Sequence, residues 1–160
     1  MIAFVRGDIF QTTTDYLAHG VAVGTQEGLG TGLALKLSTK WPEVQQSFKK
    51  YTRTHSFTGG ALCVIAPTLD RPGVIYIATQ PDMYHATISY LNRGLRNLVR
   101  HCAKAQIGSV ALPKIGAGLG KLDWPTEVKP LLIQHLEPSV TRFLGYEDFK
   151  LEYEQPLPAS

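Results

Sequence analysis

The sequence predicts an α/β protein, a three-layer α/β/α sandwich built on a mixed, largely parallel sheet of six strands. Three observations carry this. Apolar runs of strand length alternate with segments whose apolar residues recur at helical spacing, the pattern of layered α/β folds. Two strand-to-helix junctions are glycine-rich, at GLGTG (28–32) and GAGLG (116–120). The chain of 160 residues is long enough for one hydrophobic core and too short for two ordinary domains. One domain is therefore expected over residues 1–153, with 154–160 as a frayed tail.

The elements follow in order. Ile2-Ala3-Phe4-Val5 is a short apolar strand that ends in the turn Arg6-Gly7-Asp8. Tyr16 to Val23 is apolar except for His19 and reads as a buried strand. After the first glycine loop a helix begins at Leu33, and Trp41-Pro42-Glu43 starts another, with Val44, Phe48 and Tyr51 as its apolar stripe. Two strand-like runs, 61–66 and 74–78, flank a turn rich in proline and glycine. From about Ala86 to Ala105 the residues Ile88, Leu91, Leu95, Leu98, Val99 and Cys102 mark the longest helix. Its opposite face carries Arg93, Arg96, Arg100 and Lys104. Val110-Ala111-Leu112 is a fifth strand, followed by the second glycine loop and a helix whose continuous part is expected to start at Pro130. Ser139 to Tyr146 supplies the sixth strand.

Composition narrows the function. Hydrophobic content of 44% with 18% charged residues is that of an ordinary folded domain. No apolar run approaches the roughly 20 residues of a membrane span, and the amino terminus lacks the pattern of a secretory leader. A cytoplasmic protein with no membrane partner is expected, acting as a monomer. Cys63 and Cys102 fall in different kinds of element, so no disulfide framework is expected. The five histidines show no zinc-ligand spacing, and neither metal nor cofactor is expected. A net charge of +3 is compatible with an anionic ligand but does not by itself point to nucleic acid. The four charges along the long helix are read either as a contact for a nucleic-acid backbone or as a solvated face.

The two glycine loops share one design. Glycines at alternate positions let backbone N–H groups converge on an anion, and the helix that follows adds the positive end of its dipole. Neither loop fits a familiar phosphate motif. In GAGLGK the spacing G-x-G-x-x-G is broken at Lys121, and Leu122 stands where a P-loop needs Ser or Thr. A matched pair at one edge of a sheet suits a diphosphate held from both sides. Asp8, directly after the first strand, is placed either to accept a hydrogen bond from an exocyclic amine such as that of adenine or to cap a turn.

Together these residues resemble the macrodomain family, whose members bind ADP-ribose, over nearly the whole chain from Ile2 to about Tyr153. Gly7-Asp8-Ile9-Phe10 is similar to the family's adenine motif, Leu29-Gly30-Thr31-Gly32-Leu33-Ala34 to its first phosphate loop, and Pro113 to Gly120 to its second. The stretch from Ile115 through Leu122-Asp123-Trp124 is most similar to two branches, the terminal ADP-ribose glycohydrolases and the antitoxin macrodomains that remove ADP-ribose from DNA. The resemblance implies that Asp8 and the Ile9 backbone read adenine. It implies that backbone amides of Gly30, Thr31, Gly32 and Leu33 and of Gly116, Ala117, Gly118, Leu119 and Gly120, with Ile115 beside them, hold the diphosphate and distal ribose. Lys114 and Lys121 flank the second loop and would neutralise phosphate. Tyr146, before Phe143, is the aromatic that would stack on adenine, the other reading being a core residue. His19 is read either as ligand-facing or as a histidine satisfied within its strand.

The departures concern catalysis. Where the two branches carry a lysine just after the fourth strand, this chain has Gln80, whose neutral amide cannot act as an amine nucleophile. Where the human terminal ADP-ribose glycohydrolase has an acid in the second loop, this chain has Gly120, and Gly24 and Thr25 occupy the place of the asparagine that many macrodomains use. The catalytic candidates left are Glu27, as a general base or a solvated loop carboxylate, and Gln80 itself, with Asp82 and His85 bordering the cleft. Some macrodomains use no side-chain base, the substrate's own phosphate orienting the attacking water. Two functions follow: an ADP-ribose-binding domain that hydrolyses ADP-ribosyl linkages on protein or nucleic acid, or a non-catalytic ADP-ribose reader.

Overall fold

Every residue of β4 (Gly73–Gln80) is buried, as befits a strand with neighbours on both sides and helices over both faces. The computed structural model describes residues 1–23, 32–82, 84–117 and 120–147. Among these, β1 (Ile2–Val5), β2 (Tyr16–Ala22), β3 (Leu62–Ile65), β4, β5 (Ser109–Leu112) and β6 (Arg142–Tyr146) form one sheet in the order β1-β6-β5-β2-β4-β3. All neighbouring pairs are parallel except β3 with β4. The sheet is thus mixed and largely parallel, as the sequence predicts.

Four helices cover it in two layers. On one face α1 (Gly32–Lys40) and α2 (Pro42–Thr54) bury Leu37, Val44 and Phe48 against Leu17, Val21, Val74 and Tyr76. On the other, α3 (Ile88–Ala105) and α4 (Lys129–Leu136) bury Leu91, Leu95, Leu98 and Leu132 against Ile75 and Ile77. Cys63 and Cys102 are both buried and free, one in each layer. Burial raises each thiol to about 11. Among the described residues no helix is long and apolar enough to cross a membrane.

Several boundaries differ from the sequence reading, each for a tertiary reason. β4 extends past Ala78 to Thr79 and Gln80, polar residues that pairing with β2 keeps in the sheet across a bulge at Val21/Ala22. α3 starts at Ile88 rather than Ala86 because Thr87 is its cap, its hydroxyl accepting from the Tyr90 N–H at 3.1 Å. β6 starts at Arg142 rather than Ser139, since the segment before it receives the amino terminus. The Met1 ammonium donates to the carbonyls of Leu136 at 3.0 Å and Thr141 at 3.2 Å, and also to that of Ser139. Regular turns of α4 begin at Lys129 after a wide turn over Trp124–Val128.

His19 is the unusual member of the α1/α2 layer. It is buried, its ring centroid lies 4.6 Å from that of Tyr76, and Tyr76 in turn stacks on Phe48 at 4.1 Å. Its Nε2 has no hydrogen-bond partner among the described residues. Burial drives its pKa from 6.5 to about 4. Above pH 6.5 folded and unfolded chains both hold it neutral. As pH falls toward 4 only the unfolded chain takes the proton, so stability is lost by up to about 3 kcal/mol over that window. His19→Leu, which cannot be protonated, is expected to flatten the pH dependence of urea denaturation between pH 6.5 and 4. Equal slopes in parent and variant would count against this assignment.

Candidate functional site

The site follows from where the chain leaves the sheet. The residues after β2 lead to α1 on one face, whereas those after β5 lead to α4 on the other, and β2 and β5 are adjacent. Such a switch point opens a crevice beyond the carboxyl ends of the strands, where open α/β sheets bind ligands. The turn around Gly116 follows β5 on one side of this crevice, and α1 opens on the other. Along the same edge, in sheet order, stand Asp8 after β1, Tyr146 at the end of β6, the start of the second loop after β5 and, beyond β2, Gln80 at the end of β4. With strands about 4.8 Å apart, the edge from β1 to β4 is roughly 19 Å long.

At one end Asp8 caps a short 3-10 turn (Ile9–Gln11), its Oδ1 accepting from the Phe10 N–H at 2.9 Å. The capping reading is therefore observed. The carboxylate remains exposed, so its other oxygen keeps acceptor capacity. The turn's bonds use the amides of Phe10, Gln11 and Thr12 and not that of Ile9, whose side chain is buried. Tyr146 is half-buried against the α1/α2 layer, whereas Phe143 is sealed in the opposite core and unavailable for stacking.

The second loop is anchored from below and behind. Ile115 is buried in the α3/α4 core, and Gly116 has φ +76°. The amides of Ile115 and Ala117 are engaged by Pro113 O at 2.7 Å and Lys114 O at 3.2 Å, so these two do not point at a ligand. Gly116 O accepts from Leu122 N at 3.0 Å, and Gly120 O accepts from the Ala86 amide at 2.9 Å. Asp123 closes the loop as a helix cap, accepting from the Thr126 N–H at 3.0 Å, while its own N–H donates to Glu127 Oε1 at 2.8 Å. Lys121 is exposed in the left-handed region, with φ 64°. The first-loop candidates Gly24, Thr25, Glu27, Gly30 and Thr31, and Gly118 and Leu119 of the second loop, lie outside the described residues. Gly32 and Leu33 form the first turn of α1.

At the other end Gln80 is 8% exposed, and its Nε2 donates to Asp82 O at 2.8 Å. It is the last residue of β4 rather than the first one after it. Beside it, Asp82 Oδ1 accepts from the Tyr84 and His85 amides at 2.8 and 2.9 Å and lies 3.2 Å from His85 Nδ1. These contacts, the Tyr84 amide foremost, hold the Asp82 carboxyl below its usual range. The pairing orients the imidazole through Nδ1, leaving Nε2 as its other nitrogen.

Sequence reasoning missed three participants. Ala86 fixes Gly120, Glu147 holds Trp124, and Thr79 is fully buried with its hydroxyl unpartnered among the described residues. None belongs to a motif, and each is brought in by topology. Among the described residues no group of three or more His, Cys, Asp or Glu side chains could hold a metal ion. An open cavity of about 570 Å3 lies at the opposite, amino end of the strands, lined by residues such as Thr13, Asp15, Asp70 and Gln106. It contains none of the predicted site residues.

The Macro domain family model matches residues 19–129. The chain belongs to the macrodomain family. It is 31% identical over 129 residues to the DNA ADP-ribosyl glycohydrolase of Mycobacterium tuberculosis, covering 78% of this chain and 36% of that protein. It is 29% identical over 127 residues to the human ADP-ribose glycohydrolase OARD1, covering 77% of this chain and 76% of that protein. Among solved structures, the macrodomain of Thermus aquaticus DarG is similar with a TM-score of 0.81 and 29% identity, covering 92% of this chain and 98% of that one. This macrodomain spans little more than a third of the length of the bacterial DNA ADP-ribosyl glycohydrolases it matches.

The structure explains one departure from the resemblance. A Cβ at Gly120 would lie 2.6 Å from Gly116 O and 2.8 Å from the Ala86 Cβ, so the loop closes only around a glycine. Gly120→Asp, which puts an acid at that position, is expected to force the loop open and cost about 1–3 kcal/mol in chemical denaturation. An undiminished denaturation midpoint would show that the loop accommodates the side chain.

Proposed function

We propose that this macrodomain recognises ADP-ribose carried on a macromolecule. The nucleotide lies along the carboxyl edge of the sheet, with adenine at Asp8, the diphosphate between the glycine loops and the distal ribose toward Gln80. The observation that carries this reading is the switch point between β2 and β5, from which the chain leaves for opposite faces of the sheet. Among the described residues the Gly116 amide, unlike those of Ile115 and Ala117, takes part in no hydrogen bond within the loop, and α1 brings the positive end of its dipole from the other side. Titration calorimetry with ADP-ribose is expected to show saturable binding that Asp8→Ala weakens. No heat at millimolar ligand would remove the proposal.

Two observations bear on what happens after binding. The names of the relatives favour hydrolysis of an ADP-ribosyl linkage. The buried Gln80, a neutral amide tied to Asp82 O, favours a reader, because it supplies neither an amine nucleophile nor a base. If the missing amine is the limiting difference, Gln80→Lys gains or raises release of ADP-ribose from ADP-ribosylated DNA with ligand affinity unchanged. Release by the parent protein would establish hydrolysis without lysine. No release by either protein, with normal affinity, would leave the reader function.

A further inference from the structure

The long helix carries a charge pattern that ADP-ribose recognition does not use. α3 has 18 residues, three arginines and one lysine on its exposed face, and no acidic residue. Arg93 is tethered, donating to Ser89 Oγ at 3.1 Å and to Gly59 O at 3.5 Å. Arg96, Arg100 and Lys104 have no ion-pair partner among the described residues, and burial first, then the charge of Arg96, holds the His135 pKa down. An ordinary solvated helix intersperses opposite charges at i, i+4. Here Arg96 and Arg100, and Arg100 and Lys104, are like pairs at that spacing, an arrangement that weakens a helix.

The surrounding surface has the same sign. α2 and α3 pack on β3 from opposite faces of the sheet, and α2 adds exposed Lys50 and Arg53 near its carboxyl end. The acid of α2, Glu43, is taken by Arg71 at 2.9 Å. At the far edge, around β6 and α4, the charges are mixed instead: Glu127, Glu137 and Arg142 are exposed, and Glu147 is paired with Lys129 at 2.8 Å. The polarity of the site gives this asymmetry a meaning. With adenine at β1 and the distal ribose at β4, whatever is joined to the anomeric carbon leaves the protein toward β3 and α3. α3 starts there, because the Thr87 amide bonds Thr79 O in β4, and Arg93 packs beside Gly60, whose amide bonds Ala78 O. From Arg93 to Lys104 the basic face then extends roughly 16 Å away from the site.

We propose that this face of α3 binds the phosphate backbone of a nucleic-acid strand whose ADP-ribosylated nucleotide occupies the glycine-loop crevice. The orientation of the strand rests on the ADP-ribose reading above, whereas the capacity of the face to bind phosphates does not. The test compares the parent protein with Arg96→Gln/Arg100→Gln/Lys104→Gln, three exposed substitutions outside the crevice. Binding is measured with ADP-ribosylated DNA and RNA oligonucleotides, their unmodified counterparts, an ADP-ribosylated peptide and free ADP-ribose. The triple variant is expected to lose at least tenfold in affinity for the modified oligonucleotide at about 50 mM salt. The slope of log K against log salt is expected to shrink by about 2, as for three single-strand phosphate contacts. Affinities for free ADP-ribose and for the peptide stay unchanged. The DNA and RNA arms identify which strand is preferred.

Equal oligonucleotide binding by parent and variant would overturn the proposal, and so would an equal loss with the peptide, which would assign the face to acidic proteins. If neither protein binds ADP-ribose, the nucleotide reading fails by itself and the unmodified oligonucleotides still decide. Salt-sensitive binding lost in the variant upholds the face, and its absence in the parent sinks it.

Discussion

The structure depends on β2 being paired in parallel on both sides, with β4 along one edge and β5 along the other. Parallel pairing sends the carboxyl ends of all three strands to the same edge of the sheet. The segments that follow β2 and β5 then leave to opposite faces, because α1 and α2 cover one side and α3 and α4 the other. A crevice is unavoidable at that boundary, with the turn around Gly116 on one side and the start of α1 on the other. Had the chain after β2 turned to the same face as the chain after β5, the loops would have run together and no crevice would separate them.

Holding the second loop in place falls to residues outside the predicted site. Trp124 is buried with its ring edge toward Phe4, centroids 6.1 Å apart, and its Nε1 donates to Glu147 Oε1 at 3.0 Å. The same carboxylate oxygen accepts from Lys129 Nζ at 2.8 Å, and Lys129 sits over the Phe4 ring. The Lys129 hydrogen bond, with that of Trp124, holds the Glu147 carboxyl below its usual range. Since the Glu147 amide bonds Val5 O, the cluster ties the end of the loop to β6 and β1 at once. Leu122-Asp123-Trp124, which carries the family resemblance, is thus a clamp: Leu122 on Gly116, Asp123 as helix cap, Trp124 as anchor.

The layers were legible in the sequence because burial from two sides leaves a plain record. Runs such as Val74 to Ala78 carry no exposed position, and Leu91, Leu95 and Leu98 repeat at the helical period. The glycine loops were legible for a similar reason, since a missing Cβ is visible in any sequence. What escaped was everything set by contacts between distant segments. Thr79 and Gln80 look like the end of a strand until pairing with β2 keeps them inside it. Gly120 looks like a lost acid until Ala86 and Gly116 O are found where its side chain would go. The stripe on α3 could be listed residue by residue, but its position beside the carboxyl end of β4 is a product of topology.

The separation between backbone and side-chain duties has a consequence for how such a domain can change. The phosphate cradle proposed for it consists of amides, a helix dipole and close packing around glycine, which depend on the path of the chain and little on which side chains line it. The positions that resemble catalytic ones lie elsewhere, at the end of β4 and in the loop interior. Gln80 satisfies its amide N–H against Asp82 O without disturbing the pairing of β4, and Gly120 is itself required by the loop. Exchange of the amine and the acid therefore leaves the cradle standing. At Gly120 the two duties meet, because the Cβ that an acid needs would fall against Gly116 O, whereas Gln80 is held at the end of β4 by its own bond to Asp82 O.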